Sequence, residues 1–189
     1  MSQSIDYEFK DPKEWRMWLE ENYSSQKEAW VIIQKKKSDI NGLKYQEAVE
    51  EAICFGWIDS KMQSVDTRSF RQRFSPRKKN SIWSKKNKKT AEKMIQAGKM
   101  TQAGFETINN AKQNGKWETA YSSKMVPTIP KDLENALTEN KLALKNFNKF
   151  SNSTRLQYIY WVENAKKDDT RQKRIINVVK KATRNIKPS

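Results

Sequence analysis

The 189-residue chain has no histidine and a single cysteine, Cys54. Without imidazole there is no His-based metal site, no Ser-His-Asp or Cys-His arrangement, and no side chain that ordinarily titrates near neutrality. One thiol allows neither an intramolecular disulfide nor a thiolate cluster. No apolar run approaches the roughly 20 residues that span a bilayer. The opening MSQSIDYEFKDPKEW also lacks the basic and then apolar segments of a secretory signal, so a cytoplasmic location is expected. No cofactor and no metal are expected.

The apolar fraction is low, 35%, but 7 Trp, 6 Tyr and 7 Phe supply large buried surfaces in place of aliphatic residues. The composition is that of a folded chain. Charge is uneven: residues 1–60 carry 8 Lys and Arg against 12 Asp and Glu, residues 61–99 carry 13 against 2, and residues 100–189 carry 17 against 8. The net +16 therefore lies in the middle and C-terminal parts, where it attracts anionic partners.

Asp11-Pro12 reads as a cap and first position of a helix running to about Asn22, with Trp15, Trp18 and Leu19 as its buried stripe. Ala29–Gln34 reads as a central strand that leaves for solvent at Lys35, Lys36 and Lys37. A helix from Lys44 buries Tyr45, Ala48, Val49, Ala52 and Ile53 and turns Glu47, Glu50 and Glu51 to water; Cys54 fits a small buried hydrophobe. Trp57-Ile58-Asp59 reads as a second strand. In Ser69–Ser75 the period of two puts Phe70, Gln72 and Phe74 on one face and Arg71 and Arg73 on the other. After Pro76 and a basic loop, Ser84 caps a helix over about 85–97 with Ala91, Met94 and Ile95 on one side. Thr101 caps the next, with Phe105, Ile108 and Ala111 inward.

Residues 116–130 hold no period and read as a linker or an extended wrap between two units, packed down through Trp117 and Tyr121. Beyond them the periodicity predicts three helices. The first opens at Pro130 with Leu133, Leu137 and Leu144 as core candidates and Phe147 and Phe150 near its end. The second carries Tyr158, Trp161, Val162 and Ala165, and the third Ile175, Val178, Val179, Ala182 and Ile186. The expected fold class is α+β. A small antiparallel or mixed sheet packed by helices over 1–126 precedes a C-terminal helical hairpin or three-helix segment over 127–189.

Phe55-Gly56-Trp57-Ile58-Asp59-Ser60, Arg73-Phe74-Ser75-Pro76-Arg77-Lys78 and Asn80-Ser81-Ile82-Trp83-Ser84-Lys85-Lys86-Asn87 form one series. Tyr158–Lys167 followed by Thr170–Ile175 forms another. With these motifs the chain resembles the bacterial YdeI/OmpD-associated family, also labelled bacteriocin-protection proteins. The resemblance implies a link to tolerance of bacteriocins or antimicrobial peptides and a porin partner, and it brings no catalytic residues with it.

The residues themselves point to an anion-binding surface. Arg71, Arg73, Arg77, Lys78 and Lys85 supply cations, Trp83 an aromatic plate, and Ser84 and Asn87 a helix start whose amides face outward. Nucleic acid or a phosphorylated molecule is the expected ligand. The same residues also fit a solvated surface with Trp83 plugging the core, and two other readings stay open. One is a module that docks an acidic protein partner. The other is an enzyme with Asp59 in its site, although an ion-pair role, holding Arg73 or Arg77, explains Asp59 more simply.

Overall fold

The computed structural model describes residues 5–35, 41–122 and 127–188. They form two compact units, Met1–Tyr121 and Ser122–Ser189. The expected boundary at residue 126, like the strand exit at Lys36 and Lys37, lies outside the described residues.

Unit 1 is built on a four-stranded mixed sheet of order β1-β2-β4-β3. The strands are β1 (Asp6–Tyr7), β2 (Ala29–Gln34), β3 (Trp57–Ser64) and β4 (Ser69–Pro76). β1 runs parallel to β2, and the β3–β4 hairpin adds antiparallel to it. Four helices accompany the sheet: α1 (Pro12–Asn22), α2 (Tyr45–Cys54), α3 (Lys85–Gln96) and α4 (Gln102–Gln113). Cap chemistry sets their starts. Asp11 accepts from the N–H groups of Lys13 and Glu14, Ser84 from Asn87 and Thr101 from Gly104.

The β2–β4 register places Ala29 opposite Phe74, Val31 opposite Gln72 and Ile33 opposite Phe70. These residues face the core, where Trp15 of α1 meets Phe74 at 5.5 Å and Trp18 meets Trp57 edge-on at 5.9 Å. The buried indoles find acceptors, Trp15 in the Ala48 carbonyl and Trp57 in that of Tyr23. Cys54 is fully buried, and burial pushes its thiol up to about 11, so it acts as a hydrophobe.

Three residues of unit 1 depart from their sequence pattern. Glu51, expected in water, is buried, because Arg16 at 2.7 Å and Lys99 at 3.5 Å enclose its carboxylate. Phe105 is 37% exposed, its inward place on α4 taken by the glycine beside it. Gly104 lets α4 press against the end of α2, where the Cys54 carbonyl accepts both the N–H and the hydroxyl of Thr101. Ile95 likewise turns outward.

Unit 2 holds α5 (Lys131–Thr138), α6 (Lys141–Lys149), α7 (Asn152–Glu163) and α8 (Asp168–Thr183). There are four helices where the periodicity counts three, because Asn140 caps a new start by accepting from the Ala143 N–H. Leu133, Leu137, Phe147, Tyr158, Val162, Ile175 and Val178 form the core of this unit. A forked pair from Arg171 to Asp132, at 2.6 and 2.9 Å, ties α8 to α5 and holds the Asp132 carboxyl below its usual range.

A Cβ at position 104 would strike the Cys54 carbonyl and the Met100 sulfur. Gly104→Ala is therefore expected to lose about 1–3 kcal/mol in urea denaturation, the range for overpacking a tight contact; an unchanged midpoint would show that the two helices are free to separate.

Candidate anion-binding site

β4 delivers Arg77 to the point where the chain leaves the sheet. Its N–H donates to the Gly56 carbonyl at 2.9 Å, which fixes the backbone beside the turn after α2. The side chain then folds inward until only 9% is exposed. Its guanidinium lies over the Trp83 ring at 3.8 Å and donates through Nη1 to the Ile82 carbonyl at 3.0 Å. Nη2 is buried and has no hydrogen-bond partner among the described residues. Burial pushes Arg77 down to about 10, opposed by the charge of Asp59, so it remains a cation at neutral pH.

Trp83 is 1% exposed and meets Trp117 edge-on at 4.9 Å. Backbone pairing with Tyr121 brackets it: Tyr121 donates to the Trp83 carbonyl and accepts from the Lys85 N–H. The next residue, Ser84, caps α3 by accepting from the Asn87 N–H at 3.1 Å. The structure thus brings Arg77, Trp83, Ser84, Lys85 and Asn87 to one corner, where β4 hands over to α3.

Arg71 and Arg73 stand elsewhere, on the outer face of the sheet, as the strand period predicts. Each has a carboxylate: Arg71 reaches Asp6 at 2.9 Å and lies over Trp30, while Arg73 reaches Glu28 at 2.6 Å and donates to the Ser60 hydroxyl at 3.0 Å. Lys78 is exposed in the loop after β4, its N–H donating to the Ser81 hydroxyl at 3.1 Å.

No ion pair between Asp59 and Arg73 or Arg77 is present among the described residues. The anchor of Asp59 is the hydroxyl of Tyr45, which donates to it at 2.7 Å; Glu28 is the carboxylate that holds Arg73. Burial first, and then the Asp59 charge, raise the Tyr45 pKa, so this hydroxyl stays a donor. Lys86 Nζ lies 5.3 Å from the centre of the Tyr45 ring. Periodicity assigns Tyr45 only to the core; the signal for its second role is a hydroxyl on a ring at the first position of a helix, where the ring tip meets the helix edge. From Lys86 a cleft of about 450 Å³ follows α3 against α2, with Lys89, Lys93, Glu50 and Glu92 on its walls. Among the described residues no cluster of Cys, Asp or Glu can hold a metal ion, and no helix is long and apolar enough to cross a membrane.

Removing the Tyr45 hydroxyl strips a half-buried carboxylate of its donor. Tyr45→Phe is accordingly expected to cost about 1–3 kcal/mol in urea denaturation, while Glu28→Ala, which breaks a solvent-facing pair, costs at most about 1 kcal/mol. Equal losses would mean that the Tyr45–Asp59 bond is no more than a surface contact.

Residues 7–107, more than half of the chain, match the family described as Domain of unknown function (DUF8412). Residues 126–185 match the family described as Bacteriocin-protection, YdeI or OmpD-Associated. The Tyr158–Lys167 and Thr170–Ile175 motifs fall in the second match, whereas the Phe55–Asn87 motifs, although they contribute to the resemblance, fall in the first. No curated protein and no solved structure matches the chain. The chain belongs to the family described as Domain of unknown function (DUF8412) and carries, at its C-terminal end, the segment of the YdeI/OmpD-associated bacteriocin-protection family.

Proposed function

We propose that unit 1 binds a small phosphate-bearing ligand at the corner formed by Arg77 and the start of α3. Arg77 is the observation that carries the reading. A buried cation costs stability unless it is fully paired, and this one keeps a terminal nitrogen without a partner among the described residues. α3 adds a second anomaly. Its first turn contains no acidic residue and begins Lys85-Lys86, against the preference of the positive helix end for carboxylates. An incoming phosphate would satisfy both.

The Lys85 N–H is taken by Tyr121 and the Asn87 N–H by Ser84. On this reading the Lys86 N–H and the lysine ammonium groups meet the ligand from outside, and Arg77 Nη2, buried in the free protein, turns toward it on binding. Trp83 serves as the floor under Arg77 and offers no face to a base, which favours a small ligand over a nucleic-acid strand at this corner. A link to bacteriocin tolerance rests on the family description of residues 126–185.

Thermal unfolding in inorganic phosphate, against chloride at equal ionic strength, tests the reading. A millimolar site raises stability by about 2 kcal/mol at 50 mM phosphate. Wild type should show the phosphate-specific shift, with amide shift changes at residues 84–87 by NMR, and Arg77→Met should show neither. Equal effects of phosphate and chloride on wild type, or an unaltered phosphate effect in Arg77→Met, would refute it.

A further inference from the structure

Trp161 sits on the stripe of α7 that periodicity assigns to the core, yet it is 38% exposed. Its neighbours Tyr158, Ile159 and Val162 fill the interior, and the indole lies instead beside α8. Two α8 cations contact it, Arg174 at 5.5 Å and Lys181 at 5.9 Å from the ring centre, and Arg174 also donates to the Trp161 carbonyl. The ring and its flanking charges are thereby held in one place.

The exposed side of α8 continues the pattern. Lys173, Ile176, Asn177, Lys180 and Arg184 all face solvent, at positions that follow one another along one face of the helix. At 1.5 Å per residue that face extends roughly 16 Å. None of Lys173, Arg174, Lys180, Lys181 and Arg184 has a carboxylate partner among the described residues; Arg171 on the same helix is the contrast, engaged by Asp132. Ile176, 66% exposed, lies within this basic row. The apolar side of α8 is occupied by Ile175, Val178 and Ala182 in the core, so the helix has no free apolar face for a membrane.

We infer that the α7–α8 face of unit 2 binds single-stranded nucleic acid, a second binding activity independent of the corner at Arg77. A row of cations without carboxylate partners tracks phosphates, and a part-exposed tryptophan held among them supplies a plate for one unstacked base. A duplex keeps its bases stacked and an acidic peptide has none, so neither uses Trp161. Each phosphate contact releases counterions, which makes the affinity fall with salt in proportion to the number of contacts.

The test is fluorescence anisotropy of a labelled 20-nucleotide oligo(dT) with the full chain across a salt series, with a duplex of equal length and poly-glutamate as competitors. Wild type should bind the single strand more tightly than the duplex. Lys173→Ala with Lys180→Ala should reduce the slope of log K against log salt by about 1.4, two contacts at 0.7 each. Trp161→Ala should weaken binding about 5- to 160-fold, corresponding to about 1–3 kcal/mol for one stacked base, with the salt slope unchanged. Arg77→Met should leave oligo(dT) binding intact, which separates this face from the phosphate corner. Absence of binding at low salt, duplex preference, displacement by equimolar poly-glutamate, or full binding by a folded Trp161→Ala variant would overturn the inference.

Discussion

The register of β4 is the constraint on which unit 1 depends. Because side chains alternate across a strand, a slip of one residue would bury Arg71 and Arg73 and expose Phe70 and Phe74. The observed pairing sets Phe74 against Ala29 and Arg73 against Trp30, so the aromatic core forms on one face and the ion pairs with Asp6 and Glu28 on the other. The same register fixes where the strand ends. At that end Arg77 bonds to Gly56 and lays its guanidinium over Trp83, the residue before the cap of α3.

Most of unit 1 follows local and global rules together: capped helices, a twofold strand pattern, and indoles with acceptors. The corner at Arg77 breaks them in two ways, with a buried and incompletely bonded cation and with lysines in place of acids at a helix start. Departures of this kind concentrate where a protein binds something, since packing alone gives no reason for them. The outer arginines, equally conspicuous in the sequence, lack this property because their charges are met by carboxylates.

Much of the fold was legible because it rests on short-range chemistry. Asp11, Ser84 and Thr101 announce helix starts, and Phe70-Arg71-Gln72-Arg73-Phe74 announces its two faces. What stayed hidden depends on partners distant in sequence. The carboxylate of Glu51 is buried only because Arg16 and Lys99 converge on it. Phe105 turns outward because the close approach of α4 to the Cys54 carbonyl needs Gly104 there. Asn140 resembles any polar residue within a helix until its side chain accepts from Ala143 and begins a new one. At the site, Arg77, Ser84 and Asn87 were named from the sequence, but the floor role of Trp83 and the bond from Tyr45 to Asp59 required the folded geometry.

On the proposed reading Arg77 is kept for a ligand rather than for the fold. The most direct measurement is urea denaturation of Arg77→Met beside wild type from pH 7 to 11. With a folded-state pKa near 10 against 12.5 for an ordinary arginine, the unfolded chain holds this proton more tightly. Burial of the charge is therefore a full penalty below pH 10 and is relieved as pH rises through it. Arg77→Met is expected to equal wild type or exceed it by up to about 4 kcal/mol at neutral pH, with the advantage shrinking above pH 10. A loss of 3 kcal/mol or more at neutral pH, on the scale of about 3–5 for a broken buried pair, would show that Arg77 holds the fold and would contradict the account.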